Sequence, residues 1–196
     1  MHRGARCFLL LHASFMADTV KIHDLEFIPY LSEQEVALFV KEVGGRLNRD
    51  YKDKCPLFVV VLNGAFMFAS DLFKQLQGDC EVSFLRVSSY RGTASTGEVK
   101  EMMPVGTDVE GRDVVLVEDI VDTGKTMGDV KQKMLEAGAS SVRICTLLYK
   151  PDAFQGNYLV DYVGKEIPDR FVVGYGLDYD GLGRNLPSIY QIKPKS

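Results

Sequence analysis

The sequence predicts an α/β fold in which a parallel, twisted sheet is flanked by helices, and three observations support it. Residues 57–62 and 114–117 are continuous apolar runs, which is typical of strands buried on both faces of a parallel sheet. Apolar residues after Ser32 recur at spacings of three and four, which indicates an amphipathic helix. Strand and helix patterns alternate along the chain, and this alternation favours right-handed βαβ units.

Local signals place the elements along the chain. Ser32 and Glu35 form a capping-box pattern at the start of the first helix, and Gly138 is a natural end for the third. Residues 88–107 are polar and have no core pattern. The predicted elements are, in order, a helix striped with Val36, Phe39, Val40, Val43 and Leu47, a strand at 57–62, a helix striped with Phe66, Ala69, Leu72, Phe73 and Leu76, strands at 82–87 and 114–117, a helix at 125–137, a strand at 142–149, and late segments at 158–163, 171–175 and 178–187.

Length and composition bound the number of domains. The chain has 196 residues, of which 46% are hydrophobic, and this is enough for one packed core. Residues 16–196, which begin at Met16, are expected to form a single domain. Residues 1–15 carry two arginines before a short apolar stretch, and we expect a mobile or non-native extension there.

Charge and cysteine usage exclude several classes of function. The net charge of −4 gives no support for nucleic-acid binding, which usually needs a basic patch. No apolar stretch is long enough to span a membrane. The cysteines lack C-x-x-C or Cys/His spacing, so they predict reduced thiols in a cytoplasmic protein and neither a disulfide framework nor a zinc site. They are Cys7, Cys55, Cys80 and Cys145.

Residues 114–127 are the most informative run. An apolar strand leads into the paired acids Glu118 and Asp119, then Asp122, a short polar turn at 123–126 and a helix pattern. The N–H groups of such a turn and of the helix start can hold a phosphate. Carboxylates repel a phosphate, so these acids suit hydroxyl groups, a metal ion or a proton. A ligand with a phosphate beside a sugar diol would bind both the polar turn and the acids.

Two alternatives for this run were weighed. A Walker A loop requires a glycine five positions before Gly124, but that position is Asp119, so the sequence argues against a P-loop NTPase. An ordinary βα loop with a capping aspartate explains one acid and not three. The polar segments 63–64, 89–90 and 118–126, together with Lys150, each follow a predicted strand, so they should gather at one edge of the sheet.

The run 117–127 resembles the phosphoribosyl pyrophosphate (PRPP) signature of type I phosphoribosyltransferases, in the form typical of hypoxanthine-guanine phosphoribosyltransferases. The resemblance covers about residues 22–192 and implies a small hood built from the N- and C-terminal segments. It implies that Glu118 and Asp119 contact the ribose hydroxyls and that Asp122 is the candidate proton acceptor. It also implies that the 5′-phosphate is contacted by Asp122, Thr123, Gly124, Lys125 and Thr126. It places Mg²⁺ near Glu118, Asp119 and Asp178.

Pyrophosphate contacts are implied at three separate segments. Asn63 and Gly64 match the family's pyrophosphate loop, although relatives often carry a basic residue where Asn63 stands, and a simple βα turn is the alternative. Ser89 and Tyr90 begin a stretch that resembles the family's mobile catalytic loop, for which a disordered surface loop is the alternative. A catalytic loop at this place would exclude water from a ribosyl cation-like state. Arg184 matches the arginine that pairs with pyrophosphate, a role that suits a bidentate fork.

Purine contacts are implied at four residues. Lys150 would donate to the 6-oxygen of the purine, and because an ammonium cannot accept from an amino group, it would select 6-oxopurines over adenine. Tyr162 would stack on the purine and Val163 would contact the ring edge through its backbone. Asp178 would lie near the purine 2-position and the water shell of the magnesium ion.

The resemblance implies a purine salvage transferase that joins hypoxanthine and/or guanine to PRPP, giving IMP or GMP and pyrophosphate. The alternatives are a xanthine-preferring phosphoribosyltransferase and a non-catalytic PRPP-binding regulator. The implied partners are PRPP and a 6-oxopurine, with Mg²⁺ as cofactor and a homodimer or homotetramer as the assembly.

Overall fold

The computed structural model describes residues 19–87 and 108–194. Within them, helices lie between several of the strands as predicted, whereas the strands from residue 141 onward follow one another with no helix between them. The elements in chain order are β1 (Val20–Ile22), β2 (Leu25–Leu31), α1 (Glu33–Asp50), β3 (Leu57–Leu62), α2 (Phe66–Phe73), β4 (Glu81–Arg86), β5 (Asp113–Val121), α3 (Lys125–Glu136), β6 (Ser141–Tyr149), β7 (Tyr162–Glu166), β8 (Val172–Val173) and β9 (Ile189–Ile192).

The central sheet is parallel and has the strand order β4-β3-β5-β6-β7. Its two central apolar strands are nearly completely buried because helices cover both faces. Alternate residues of β3 point to opposite faces, so that Phe58 packs with α1 and α2 while Val59 packs with α3. The predicted parallel sheet flanked by helices is therefore confirmed, and the carboxyl ends of its strands share one edge.

Strand β5 is longer than the sequence predicts. It continues from the apolar run through Val121, because Glu118 pairs with Thr146 and Val121 pairs with Tyr149 on β6. Glu118 and Asp119 consequently lie inside the last part of the strand and not after it. Pairing with a neighbouring strand fixes their backbone, whereas loop residues would lack that support.

The first helix begins as predicted. The Ser32 N–H donates to Glu35 Oε2 at 2.8 Å, and the Glu35 N–H donates to Ser32 Oγ at 3.3 Å, which completes a capping box. Val36, Val40 and Val43 then form part of a buried stripe toward the sheet. Helix α1 contacts both α2 and β7 and so closes one face of the molecule.

Both ends of the described chain build a second, antiparallel sheet in the order β1-β2-β9-β8. Strand β2 pairs with β9, where Phe27 lies opposite Ile192. Its small core includes the fully buried Phe27 and Val173. This sheet is the predicted hood, and the segment between β8 and β9 carries two of the predicted site residues. None of the helices in residues 19–87 and 108–194 is both long and apolar enough to cross a membrane.

Candidate active site

A cleft of about 290 Å³ lies at the carboxyl edge of the central sheet. It brings together residues from four separate parts of the chain: the turn after β3, Val87 after β4, the end of β5 with the start of α3, and the hood. Of the predicted site residues, those that line the cleft are Asn63, Gly64, Glu118, Asp119, Asp122, Thr123, Gly124, Thr126, Asp178 and Arg184.

The start of α3 is where the sequence predicts an anion cradle. Gly124 precedes the helix with φ of 79°, a left-handed conformation that favours glycine. The first N–H groups of a helix have no acceptor within it, and the first turn of α3 carries no acidic residue. The positive end of the helix dipole therefore has no carboxylate within its own first turn and suits a phosphate.

The paired acids at the end of β5 are tightly packed. Asp119 is buried, its Oδ1 accepts from the Ile120 N–H at 2.8 Å, and a β-carbon on Gly64 would lie 2.5 Å from its Cγ. Burial and the neighbouring Asp119 charge raise the pKa of Glu118 well above its usual range. A hydroxyl donor or a cation placed here would stabilise both carboxylates in their charged form.

Lys150 joins the cleft through Asp122. Its ammonium lies 2.7 Å from Asp122 Oδ2 and 3.0 Å from Asp169 Oδ1, and its side chain is only 7% exposed. Burial lowers the pKa of Lys150, but its hydrogen bonds to the two carboxylates outweigh burial and leave the pKa raised. The predicted proton acceptor and the predicted 6-oxygen donor are therefore ion-paired to each other at this edge.

Arg184 and Asp178 also form a pair in the hood. Arg184 Nη2 lies 2.7 Å from Asp178 Oδ1, and its Nη1 donates to the Gly176 carbonyl at 2.7 Å. Gly176 has φ of 100°, and a β-carbon there would lie 3.2 Å from the carbonyl carbon of Gly64. The hood thus packs directly on the turn after β3, where the Leu62–Asn63 peptide is cis.

Two predicted purine contacts are not brought to this edge. Tyr162 is buried, its hydroxyl donates to Asp50 Oδ2 at 2.7 Å, and it pairs with Cys145, four residues before the end of β6. Four residues correspond to about 13 Å of strand. The Val163 carbonyl accepts from Arg46 Nη1 at 3.3 Å. We therefore correct the predicted purine contacts of Tyr162 and Val163, since the Tyr162 side chain and the Val163 carbonyl are both bonded deeper in the fold.

Other predicted residues have different outcomes. The Lys125 side chain is exposed and lines a neighbouring groove beside Lys131 instead of the cleft, so a phosphate contact of Lys125 is proposed for its backbone N–H alone. Ser89 and Tyr90 lie outside the described residues, as does the predicted extension at 1–15.

Two further residues, one bonded to Lys150 and one in the hood, were missed by sequence reasoning. Asp169 holds the Lys150 ammonium, and Phe171, two positions later, leaves 41% of its surface exposed. The exposed aromatic ring of Phe171 contrasts with Val172 and Val173, which directly follow it and are both buried. That contrast between neighbours is the signal that could have identified Phe171 as a contact for an apolar ring face.

Fold and cleft together define a phosphoribosyltransferase, and comparison with known proteins agrees. The family described as "Phosphoribosyl transferase domain" matches residues 30–180. The hypoxanthine-guanine phosphoribosyltransferase of Bacillus subtilis is 44% identical over 173 residues, covering 88% of this chain and 96% of the relative. The chain therefore belongs to the hypoxanthine-guanine phosphoribosyltransferase family, and the predicted family and enzyme class are confirmed.

Solved structures are similar over the same region. A hypoxanthine phosphoribosyltransferase from Staphylococcus aureus superimposes with a TM-score of 0.79 at 42% identity, covering 85% of this chain and 91% of that one. A hypoxanthine-guanine phosphoribosyltransferase from Bacillus anthracis gives a TM-score of 0.78 at 35% identity, covering 84% and 98%.

Proposed function

We propose that the chain joins hypoxanthine and/or guanine to PRPP, giving IMP or GMP and pyrophosphate. The observation that carries this proposal is the cleft itself, in which an anion cradle, a buried acid pair and an Asp122–Lys150 pair meet. The names of the relatives support this function over a xanthine-preferring enzyme and over a non-catalytic regulator.

Binding would begin at the ribose 5-phosphate end of PRPP. The 5′-phosphate would accept hydrogen bonds from the N–H groups and hydroxyls of residues 122–126, where the helix dipole adds attraction. The ribose hydroxyls would donate to Glu118 and Asp119. Because both acids are held by strand pairing and packing, the sugar would be oriented before any chemistry occurs.

The pyrophosphate would lie between the hood and the turn after β3. Arg184 would offer its guanidinium to the leaving group, exchanging its present bond with Asp178 for one with a phosphate oxygen. Asn63 and Gly64 would add hydrogen bonds from their turn. Ser89 and Tyr90 are likewise proposed to contact the pyrophosphate. Charge on the departing pyrophosphate would thus be neutralised as it forms.

Magnesium fits this arrangement as a substrate-borne ion. The described residues contain no cluster of three or more acidic, histidine or cysteine side chains that could hold a metal alone. Mg²⁺ is commonly held by one or two carboxylates together with substrate phosphates, so Glu118, Asp119 and, once released from Arg184, Asp178 suit it. When bound, the ion would offset the charge of the pyrophosphate.

The purine would lie against Lys150, Asp122 and the exposed face of Phe171. In the transfer, the N9 lone pair forms the bond to C1 of the ribose while the bond from C1 to pyrophosphate breaks. Asp122 would accept the proton that the purine loses. Lys150 would move from the carboxylates to the 6-oxygen, which an adenine does not have.

The cellular location and the oligomeric state of the protein are also part of the proposal. Cys55, Cys80 and Cys145 are free thiols in the structure, and this supports the predicted cytoplasmic location. A homodimer or homotetramer is expected, and analytical ultracentrifugation of the purified chain would measure its mass. Residues 16–196 are proposed to act as one domain.

One assay tests the function. The purified chain is incubated with PRPP and Mg²⁺ and with hypoxanthine, guanine, xanthine or adenine, and nucleotides are separated by chromatography. We expect IMP or GMP and no AMP. Product from xanthine alone would favour the xanthine-preferring alternative, and PRPP binding without any product would favour a regulator. Absence of both binding and product would refute the proposal.

A further inference from the structure

The segment that follows β6, residues 150–158, lies along the outer side of the cradle and is here called the brace segment. Its Lys150 N–H donates to the Val121 carbonyl at 3.0 Å, and its Gln155 N–H donates to the Thr123 carbonyl at 3.0 Å. The Tyr158 hydroxyl donates to the Gly124 carbonyl. The Thr123 and Gly124 carbonyls, which lead into α3, are therefore held by residues that line a neighbouring groove and not the cleft.

Aromatic packing reinforces these bonds. A β-carbon on Gly124 would lie 2.7 Å from a Phe154 ring carbon and 2.8 Å from the Tyr158 hydroxyl, and one on Gly128 would lie 2.9 Å from the Tyr158 ring. The two rings meet edge to face with centroids 5.2 Å apart. Burial raises the pKa of Tyr158 to about 12, so its hydroxyl remains a protonated donor throughout the physiological range.

Peptide geometry transmits this anchoring to the cleft. In a planar trans peptide, the carbonyl and the following N–H point in opposite directions. Holding the Thr123 and Gly124 carbonyls on the outer side therefore directs the Gly124 and Lys125 N–H groups the other way. The Gly124 carbonyl also accepts from the Gly128 N–H at 2.9 Å, so the same peptide begins α3. The Gly124 and Lys125 N–H groups remain available to bind an anion.

We propose that Tyr158 is a positioning residue for the 5′-phosphate of the substrate, acting through the Gly124 carbonyl. Tyr158 does not line the cleft, whereas Gly124 does, so its effect is transmitted through the backbone and not by contact. The assignment rests on the proposed function for the identity of the phosphate. It predicts that loss of the hydroxyl weakens ribose 5-phosphate binding and spares the pyrophosphate and purine ends.

The test compares Tyr158→Phe with Tyr149→Phe as a matched control. Tyr149 belongs to the same aromatic group, with its ring 5.4 Å from that of Phe154, but its hydroxyl forms no hydrogen bond to the cradle within residues 19–87 and 108–194. Both variants keep the ring and lose one oxygen. Calorimetry with ribose 5-phosphate and, separately, with pyrophosphate measures each end of the site directly.

For Tyr158→Phe we expect affinity for ribose 5-phosphate to fall roughly three- to tenfold, the range for one lost hydrogen bond. Affinity for pyrophosphate and the KM for hypoxanthine should stay within about twofold, and the KM for PRPP should rise with ribose 5-phosphate. Tyr149→Phe should match the wild type in all four. The Gly128 amide, which donates to the same Gly124 carbonyl, should exchange hydrogen faster in Tyr158→Phe than in the control.

Two results would overturn the assignment. One is unchanged ribose 5-phosphate affinity in Tyr158→Phe; the other is an equal loss at the pyrophosphate end, which general loosening of the fold would cause. Both binding measurements are independent of turnover. A wild-type chain that makes no nucleotide would therefore refute the proposed function while leaving the positioning role to be decided by ribose 5-phosphate binding and amide exchange.

Discussion

Replacing Gly64 with alanine tests whether packing of the turn after β3 positions the acid pair. The added β-carbon would lie 2.5 Å from Cγ of Asp119, and that carboxylate is buried, with one oxygen bonded to the Ile120 N–H at 2.8 Å. Neither the β-carbon nor the carboxylate is the far end of a flexible chain. The substitution must therefore move the turn, the acid or both.

Extra volume in a well-packed site costs about 1–3 kcal/mol. If this cost falls on the orientation of Asp119, it lowers transition-state stabilisation by the same amount, which corresponds to a loss of about 5- to 150-fold in kcat/KM for PRPP. Mutant thermal stability should fall as well, because the same strain exists without substrate.

Steady-state kinetics with varied PRPP and saturating hypoxanthine measure the effect. Gly45→Ala in α1 is the matched control, because its β-carbon would meet only Arg49 Nη1 at 3.8 Å. This control should keep full activity and gain up to about 1 kcal/mol of stability from the better helix propensity of alanine. Wild-type kcat/KM for PRPP in Gly64→Ala would refute the reasoning that close packing fixes the acid.

Three further substitutions test individual residues. Asp122→Asn should lower kcat by about 10²- to 10⁴-fold while PRPP affinity changes little, and near-normal turnover would remove its role as proton acceptor. Lys150→Ala should raise the KM for hypoxanthine roughly tenfold or more through loss of a charged hydrogen bond, and unchanged discrimination against adenine would contradict its assignment. Tyr162→Phe should lower the free energy of unfolding by about 1–3 kcal/mol, because Asp50 and Arg143 lose their shared hydroxyl, and should leave the KM for hypoxanthine unchanged. A selective rise in that KM would reinstate the purine contact.

The buried strands and the first helix were predictable because their signals are local. Continuous apolar runs mark β3 and β5, and Ser32 with Glu35 marks the start of α1. The gathering of polar segments at one edge followed from parallel strand direction alone. Such patterns depend on neighbours in sequence or on a general property of the sheet, so one sequence was enough.

The register of β7 was not predictable in the same way. Alternation along a strand indicates which face a side chain occupies but not how far along the sheet it lies. Tyr162 pairs with Cys145 and so begins its strand well below the cleft, although it is an aromatic close in sequence to site residues. The contact between Gly64 and Asp119 could not be predicted from the sequence either, because it joins two βα units that are distant along the chain.

The hood has a consequence for how the enzyme is made on the ribosome. Phe27 on β2 lies opposite Ile192 on β9, so β2, which pairs with β1 on its other side, lacks this second partner until β9 has been synthesised. All five strands of the central sheet are complete by Glu166, and that sheet can fold while the hood remains open. Arg184, held between β8 and β9, reaches the cleft only after this last pairing. Nascent chains would therefore acquire the acid pair and the start of α3 first, and a chain that has not yet reached β9 would lack the proposed pyrophosphate contact of Arg184.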